Sequence, residues 1–428
     1  MNSRILSFVL AAACVLLARA EIDVPTDGSD GDLILTDTGT PREVVIDLSL
    51  APTAAWNTPQ TQPHLPDVGG VGVYDSAQWA VVFKYNTVRI EKNVTVRFKN
   101  HPSRAPVVWL VKGNVEIAGE VNLDGAYGDT DGSRFNLSEP GPGGFRGGDG
   151  PVPGSPWSPG LGPGGSAGAD GSLHLFNQWI QRPSYGSVGA AGNFAAVPVY
   201  GNSSIIPLVG GSGSGGQVQR AGGGGGAGGG AVLIAVRGDF NLLASGRLQA
   251  NGGGGPDGEG GTGGAIRVIC GSATGSGLLQ AIGNSGAGNG RIRLEYGRYQ
   301  AAFAIQPPSL ALPIVGSIRI WPDDLAATAK IVSVANAPAP TDPRAGMEVG
   351  LPADMILTPG LATKVVTIET ANLPTNAVVT LRVVSSGGDV RVNADFLSTT
   401  ADPTKLLWQK EVTLSPGYHA LQVVAVSP

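Results

Sequence analysis

The chain has 428 residues, 42% of them hydrophobic and only 14% charged, with a formal net charge of −5 and a pI near 5.4. That acid balance excludes the basic footprint of a nucleic-acid-binding protein. Its 67 glycines and 32 prolines exceed the ordinary share, without the strict triplet period of collagen.

The N-terminus, MNSRILSFVLAAACVLLARA, is expected to be a cleavable signal peptide over 1–20. Arg4 provides the basic start, Ile5 to Leu17 the apolar core, and Ala18-Arg19-Ala20 the cleavage site. A lipoprotein signal acylated at Cys14 is the rival reading. Cleavage would remove two arginines and no acid, taking the formal charge to −7. It would also leave one cysteine, Cys270, at the end of the apolar run AIRVIC, where a buried, inert thiol is expected. No later stretch approaches 18 apolar residues, so no transmembrane segment is expected.

Residues 21–70 read as an irregular segment with one strand-like piece, REVVIDLSL. From 71 onward short strands dominate, and near-copies emerge. VVWLVKGNVEIAGEVNLDG (107–125) aligns with VLIAVRGDFNLLASGRLQANG (232–252) and, less closely, with IRVICGSATGSGLLQAIG (266–283); GRIRLEY (290–296) opens a fourth unit. Each unit runs apolar strand, small turn, alternating strand, then Asp, Asn or Ile with Gly. Units that cannot bury an apolar face alone must stack on their neighbours. An ordinary sandwich also shows short strands at regular spacing but does not need near-copies, so the expected domain over 71–325 is a parallel β-helix, with glycine-rich excursions at 126–230 and 253–264.

Glycine costs regular structure roughly 0.5–1 kcal/mol per residue relative to alanine. The tracts therefore either stay unordered or pack as polyproline-II-like strands on the helix flank. The insert also holds Trp157, Phe176, Trp179, Tyr185, Phe194 and Tyr200. Its aromatic stretch, 139–200, is expected to be ordered, and 221–230 partly ordered at best. From 326 to 428 glycine thins out, and alternating strands separated by turns predict an immunoglobulin-like β-sandwich of about seven strands.

The motifs VVWLVKGNVEIAGEVNLDG, GPGGFRGG, PLVGGSGSGG, GGGGGAGGGAVLIAV, LQANGGGG and GGAIRVI resemble those of glycine-rich exported proteins of environmental bacteria. The resemblance implies an all-β, right-handed parallel β-helix and export. It carries no catalytic residues.

The chemistry-bearing signals are sparse. Pectin-degrading β-helix enzymes need clustered aspartates with Gly-His-Gly, or a Ca²⁺ site beside a basic residue. Here Gly-His-Gly is missing, and the single Asp-Asp, Asp323-Asp324, falls at the junction with the last domain. Asp124, Asp129 and Asp131 in LDGAYGDTDGS form the candidate Ca²⁺ loop, since glycines let hard oxygen ligands converge. Turn acids in glycine-rich loops equally serve without metal. Trp157, Trp179 and Tyr185 are candidate platforms for stacking on sugar rings, or staples holding the insert to the solenoid. GSGSGG (211–216) lacks the following helix and lysine of a phosphate loop, and the four histidines have no metal-ligand spacing. The expected role is an exported, non-catalytic structural or adhesive protein of the surface or matrix, with self-association possible. The alternative is a polysaccharide-binding or polysaccharide-degrading protein.

Overall fold

The computed structural model describes residues 22–58, 69–128, 138–150, 158–167, 181–190, 195–216, 223–256, 260–340, 354–357, 363–385 and 388–427. The signal peptide, Trp157, Trp179, Phe176, Phe194, Asp129 and Asp131 lie outside these residues.

The first part is a parallel β-helix. Its coils are β1 (Gly31–Leu35) with β2 (Arg42–Asp47), then, after the short β3 (Val73–Asp75), β4 (Ala80–Ile90) with β5 (Val94–Lys99). The third coil is β6 (Val107–Val111) and β7 (Val115–Ile117) with β8 (Glu120–Asn122); the fourth is β9 (Ala231–Leu242) with β10 (Arg247–Gln249). The fifth is β11 (Ala265–Gly275) with β12 (Leu278–Gln280), the sixth β13 (Arg291–Tyr299) with β14 (Ala304–Gln306), and β15 (Leu310–Pro313) begins a seventh. One sheet runs β1-β4-β6-β9-β11-β13-β15 and the other β14-β12-β10-β8-β5-β2, with parallel neighbours throughout both paths.

The three near-copies stack in register, as their sequence predicts. Val81, Val107, Val232, Ile266 and Ile292 form one column. Val44, Val96, Val121, Leu248, Leu279 and Ile305 form the facing one. Both columns meet in a single core. Each aliphatic side chain fully buried there contributes roughly 1.5–3 kcal/mol, which drives the stacking. The helix begins earlier than the composition suggests. The segment 21–70, read as irregular, supplies the whole first coil, with β1 pairing β4 and β2 pairing β5.

The glycine tracts are not thrown outward. Residues 223–230, expected to be partly ordered at best, are buried and hydrogen-bonded along their length. Gly225, Gly228 and Ala231 donate to the carbonyls of Gly148, Phe145 and Pro142, while Ala227 and Gly230 donate to those of Ala126 and Leu123. The carbonyls of Gly226 and Gly229 accept from Ser214 and Gly211. A segment that meets the same neighbour at every third residue turns three residues at a time, which is the polyproline II repeat. The tracts form a bundle of such strands on the third side of the solenoid. There glycine is required by contact: a methyl built on Gly228 would lie 2.0 Å from the oxygen of Gly211, and one on Gly253 would lie 1.9 Å from that of Ala126.

The last part is an antiparallel sandwich with eight strands among the described residues, where about seven were expected. β16 (Thr328–Val334), β17 (Ala337–Pro338), β18 (Thr363–Ala371), β21 (Asp395–Thr399) and β22 (Lys405–Thr413) form one sheet; β19 (Val378–Ser385), β20 (Gly388–Asn393) and β23 (His419–Val426) form the other. Val366, Ile368, Leu381, Leu406 and Trp408 fill the space between them. The sandwich docks on the glycine bundle through Arg382, which donates to the carbonyl of Gly165 at 2.9 Å while its ion pair with Asp389 is buried.

Candidate functional site

The two sheets of the solenoid differ in what covers them. The outward side chains of the β4-β6-β9-β11 sheet are mostly apolar, Val82, Val108, Leu110, Leu233, Ala235 and Ile269, with Lys84 and Arg267 buried beside them. Two stretches of chain strap across them. Val24 and Ile320 pack into this layer with Ile22, Ile318 and Trp321 beside them. Arg237 Nη2 holds the first strap by the carbonyl of Val24, and Arg267 Nη2 holds the second by that of Arg319. This sheet is therefore buried on both faces, as parallel sheets ordinarily are.

The other sheet presents a polar outer face. Strand alternation places Arg97, Asn122, Gln249, Gln280 and Gln306 in one outward row, one residue per coil. Hydrogen bonds join them in two groups, Arg97 with Asn122 and Gln249 through Gln280 to Gln306. Arg97 bridges to Glu43 at 2.8 Å and donates through Nη1 to Asn122 Oδ1 at 3.3 Å. Gln249 Nε2 donates to Gln280 Oε1 at 3.1 Å, and Gln280 Nε2 donates to Gln306 Oε1 at 2.8 Å. A flanking row begins with the Asp47–Lys99 bridge at 2.8 Å and continues through Asp124 and Asn251. Asn251 Oδ1 accepts from the backbone of Ile282, and its Nδ2 donates to Gln280. On the other side Glu120 stands opposite the exposed Arg247. Polar side chains thus run across six coils with charges of both signs.

Within this face Asn122 sits between two carboxyl groups. Its Nδ2 donates to Glu120 Oε1 at 2.7 Å and lies 3.5 Å from Asp124 Oδ2. Burial raises the Asp124 pKa, partly offset by the backbone and side-chain hydrogen bonds of Asn251. The Ca²⁺ reading of Asp124 therefore meets a competing role. Its Oδ1 accepts from the Asn251 backbone N–H at 2.6 Å, tying the third coil to the fourth. Among the described residues no group of three His, Cys, Asp or Glu side chains is arranged to hold a metal ion.

Tyr185 offers no face to a sugar, which corrects the stacking expectation. It is 1% exposed, stacked on Tyr200 at 4.5 Å, with the Arg291 guanidinium 5.6 Å from its ring centre. Its hydroxyl donates to the carbonyl of Val209 at 2.7 Å. The physical reason is that rings inside a glycine bundle are the bulkiest apolar surface available, so Tyr185 and Tyr200 are consumed in fastening the insert to β13. Cys270 is fully buried, and burial pushes its thiol up to about 12, which keeps it a protonated core residue.

Composition and motif searching missed the amide row. Its signal lay in the near-copies, two positions before the Asp124, Asn251 and Ile282 that were aligned: Asn122, Gln249 and Gln280 recur there. No family model, no curated protein and no solved structure matches this chain.

Proposed function

We propose that this is an exported, non-catalytic structural or adhesive protein of a cell surface or extracellular matrix, one that holds an extended polysaccharide on its open sheet. It resembles in this the glycine-rich exported bacterial proteins whose motifs its sequence shares. The observation that carries the reading is the polar row from Arg97 to Gln306, hydrogen-bonded from Arg97 to Asn122 and from Gln249 to Gln306, on the solenoid sheet whose outer face no strap covers among the described residues. Amide and hydroxyl groups are matched donors and acceptors, so a row of amides at about 4.8 Å spacing suits a hydroxyl-rich chain. The mixture of Glu43, Asp47 and Glu120 with Arg97, Lys99 and Arg247 favours a neutral polymer over a polyanion.

Cleavage is the second reading, favoured by the pair of Glu120 and Asp124 on one amide, since glycoside hydrolysis uses two carboxyl groups in opposite protonation states. Co-sedimentation of the full chain with insoluble neutral and anionic polysaccharides, with reducing ends followed in parallel, separates the readings. Retention on a neutral polymer without new reducing ends, weakened about tenfold in Arg247→Ala, is the expected result. New reducing ends that vanish in Glu120→Gln would replace adhesion with hydrolysis. Failure to retain any polysaccharide would remove the polymer from the proposal.

A further inference from the structure

The two ends of the solenoid are finished differently. At the first coil, Leu33, Leu35, Ile46 and Leu48 are fully buried. The chain closes over them with the tight turn at Leu48–Leu50, with Ala51 and with Tyr74. Gly69 sits directly on Leu33, where a built methyl would meet Leu33 Cδ1 at 2.6 Å. β3 adds an antiparallel edge to the near half of β4.

Among the described residues the last coil has no such lid. β15 covers only Arg293–Tyr296 of β13 and stops at Pro313, a residue with no N–H to offer a ladder. The remainder of β13, and β14 at the end of the open sheet, have no neighbour on their outer side among the described residues. The core residues at this level are correspondingly uncovered. Ala301, Phe303 and Ile305 are half-buried, Tyr299 is 40% exposed and Leu310 is 41% exposed. The rings form a chain, Tyr296 to Tyr299 at 5.0 Å and Tyr299 to Phe303 at 6.3 Å, which runs from the buried Phe240 to the exposed Tyr299. The amide row ends here too: Gln306 Oε1 is used by Gln280, and its side-chain Nε2 has no hydrogen-bond partner among the described residues.

We infer that this end is a self-association surface, occupied by the same end of a second copy of this chain. An unpaired strand edge is satisfied by another strand. β2 also lacks an outer neighbour, but the apolar core of its coil is capped, so the end of another molecule that offers matching apolar surface is its own last coil, with β14 at its edge. Like ends meet across a two-fold axis, so β14 pairs antiparallel with its mate and the assembly closes as a dimer. Tyr299, Phe303 and Leu310 supply the apolar contact, and Gln306 continues the amide row into the partner. The inference is independent of what the open sheet binds.

Sedimentation equilibrium of the mature chain, at concentrations up to about 100 µM, tests it. The expected result is a species of twice the chain mass. Tyr299→Lys and Leu310→Lys should each raise the dissociation constant at least about tenfold, with the far-UV spectrum and melting of the monomer unchanged. Ile34→Lys, at an exposed position of the lidded first coil, should leave the dimer intact. With Gln306→Cys, mild oxidation should give one cross-linked dimer band, the buried Cys270 staying unreactive. A monomer throughout that range overturns the inference. So does an open series of larger species, or dissociation by the Ile34 variant instead of the last-coil variants.

Discussion

Replacing Gly228 by alanine distinguishes a packed glycine bundle from a slack glycine linker by the sign of the effect. In an unstructured tract, alanine removes freedom from the unfolded chain and stabilises the protein by about 0.4–1 kcal/mol, or does nothing. In the bundle, the new methyl lies 2.0 Å from the oxygen and 2.2 Å from the carbonyl carbon of Gly211, and 2.8 Å from the nitrogen of Ser212. These are backbone atoms and cannot rotate away. Overpacking of this kind costs about 1–3 kcal/mol. Moving the two strands apart also weakens the bonds from Gly228 to Phe145 and from Gly211 to Gly229, at about 1 kcal/mol each. The total is a loss of about 3–5 kcal/mol. Gly316→Ala serves as the control: nothing lies within 4 Å of its built methyl, and its positive φ of 76° limits the cost to about 1–2 kcal/mol. Urea unfolding followed by tryptophan fluorescence gives both midpoints. A Gly228→Ala protein as stable as the parent, or more stable, refutes the bundle as the reason for the glycine content.

Asp30 precedes β1 and accepts from the Lys84 backbone N–H at 2.7 Å. Burial pushes its pKa up to about 6 from 3.8, against the opposing pull of the Lys84 and Gly72 N–H groups and the Lys84 charge. The folded protein therefore keeps a proton that the unfolded chain releases. The associated stability, about 3 kcal/mol at most, is complete below pH 3.8 and is lost as pH rises through 6. Asp30→Asn should flatten urea midpoints measured across that window, and an unchanged slope would contradict the assignment. Arg382→Ala should leave the buried Asp389 carboxylate, which Arg382 helps to hold low against its burial, with only Arg391 and Gln181 as partners, at a cost of about 1.5–3 kcal/mol. Because Arg382 also grips Gly165, calorimetry should then show the sandwich melting separately from the solenoid. One unaltered transition would show that the docking rests on other contacts.

The solenoid was legible because its stacking residues repeat: the Val107, Val232 and Ile266 positions are near-copies, and near-copies that share an apolar pattern must share a layer. The first coil escaped notice because GDLIL is short, follows an acidic stretch and has no copy downstream. The glycine tracts were misjudged for a physical reason. Composition reports the entropy glycine forfeits, whereas the closeness it allows depends on which strand lies opposite, and that pairing is set by contacts such as Gly228 with Gly211. Tyr185 carried a true signal of order in the insert but not of function, since burial and display draw on the same ring. The amide row needed register as well as pattern. Asn122, Gln249, Gln280 and Gln306 become one feature only when their strands are known to be neighbours.

The pairing of β6 with β9 places Val111 beside Val236, although the whole glycine insert separates these two strands in sequence. Closing a loop of that length costs about 4 kcal/mol in chain entropy before any contact across the seam is gained. The solenoid is therefore two locally wound spools, coils one to three and coils four to six, and each can form from nearby residues. Their union waits on the polyproline bundle, so refolding should be limited by a step that a protein with the insert excised and the spools joined directly would not have.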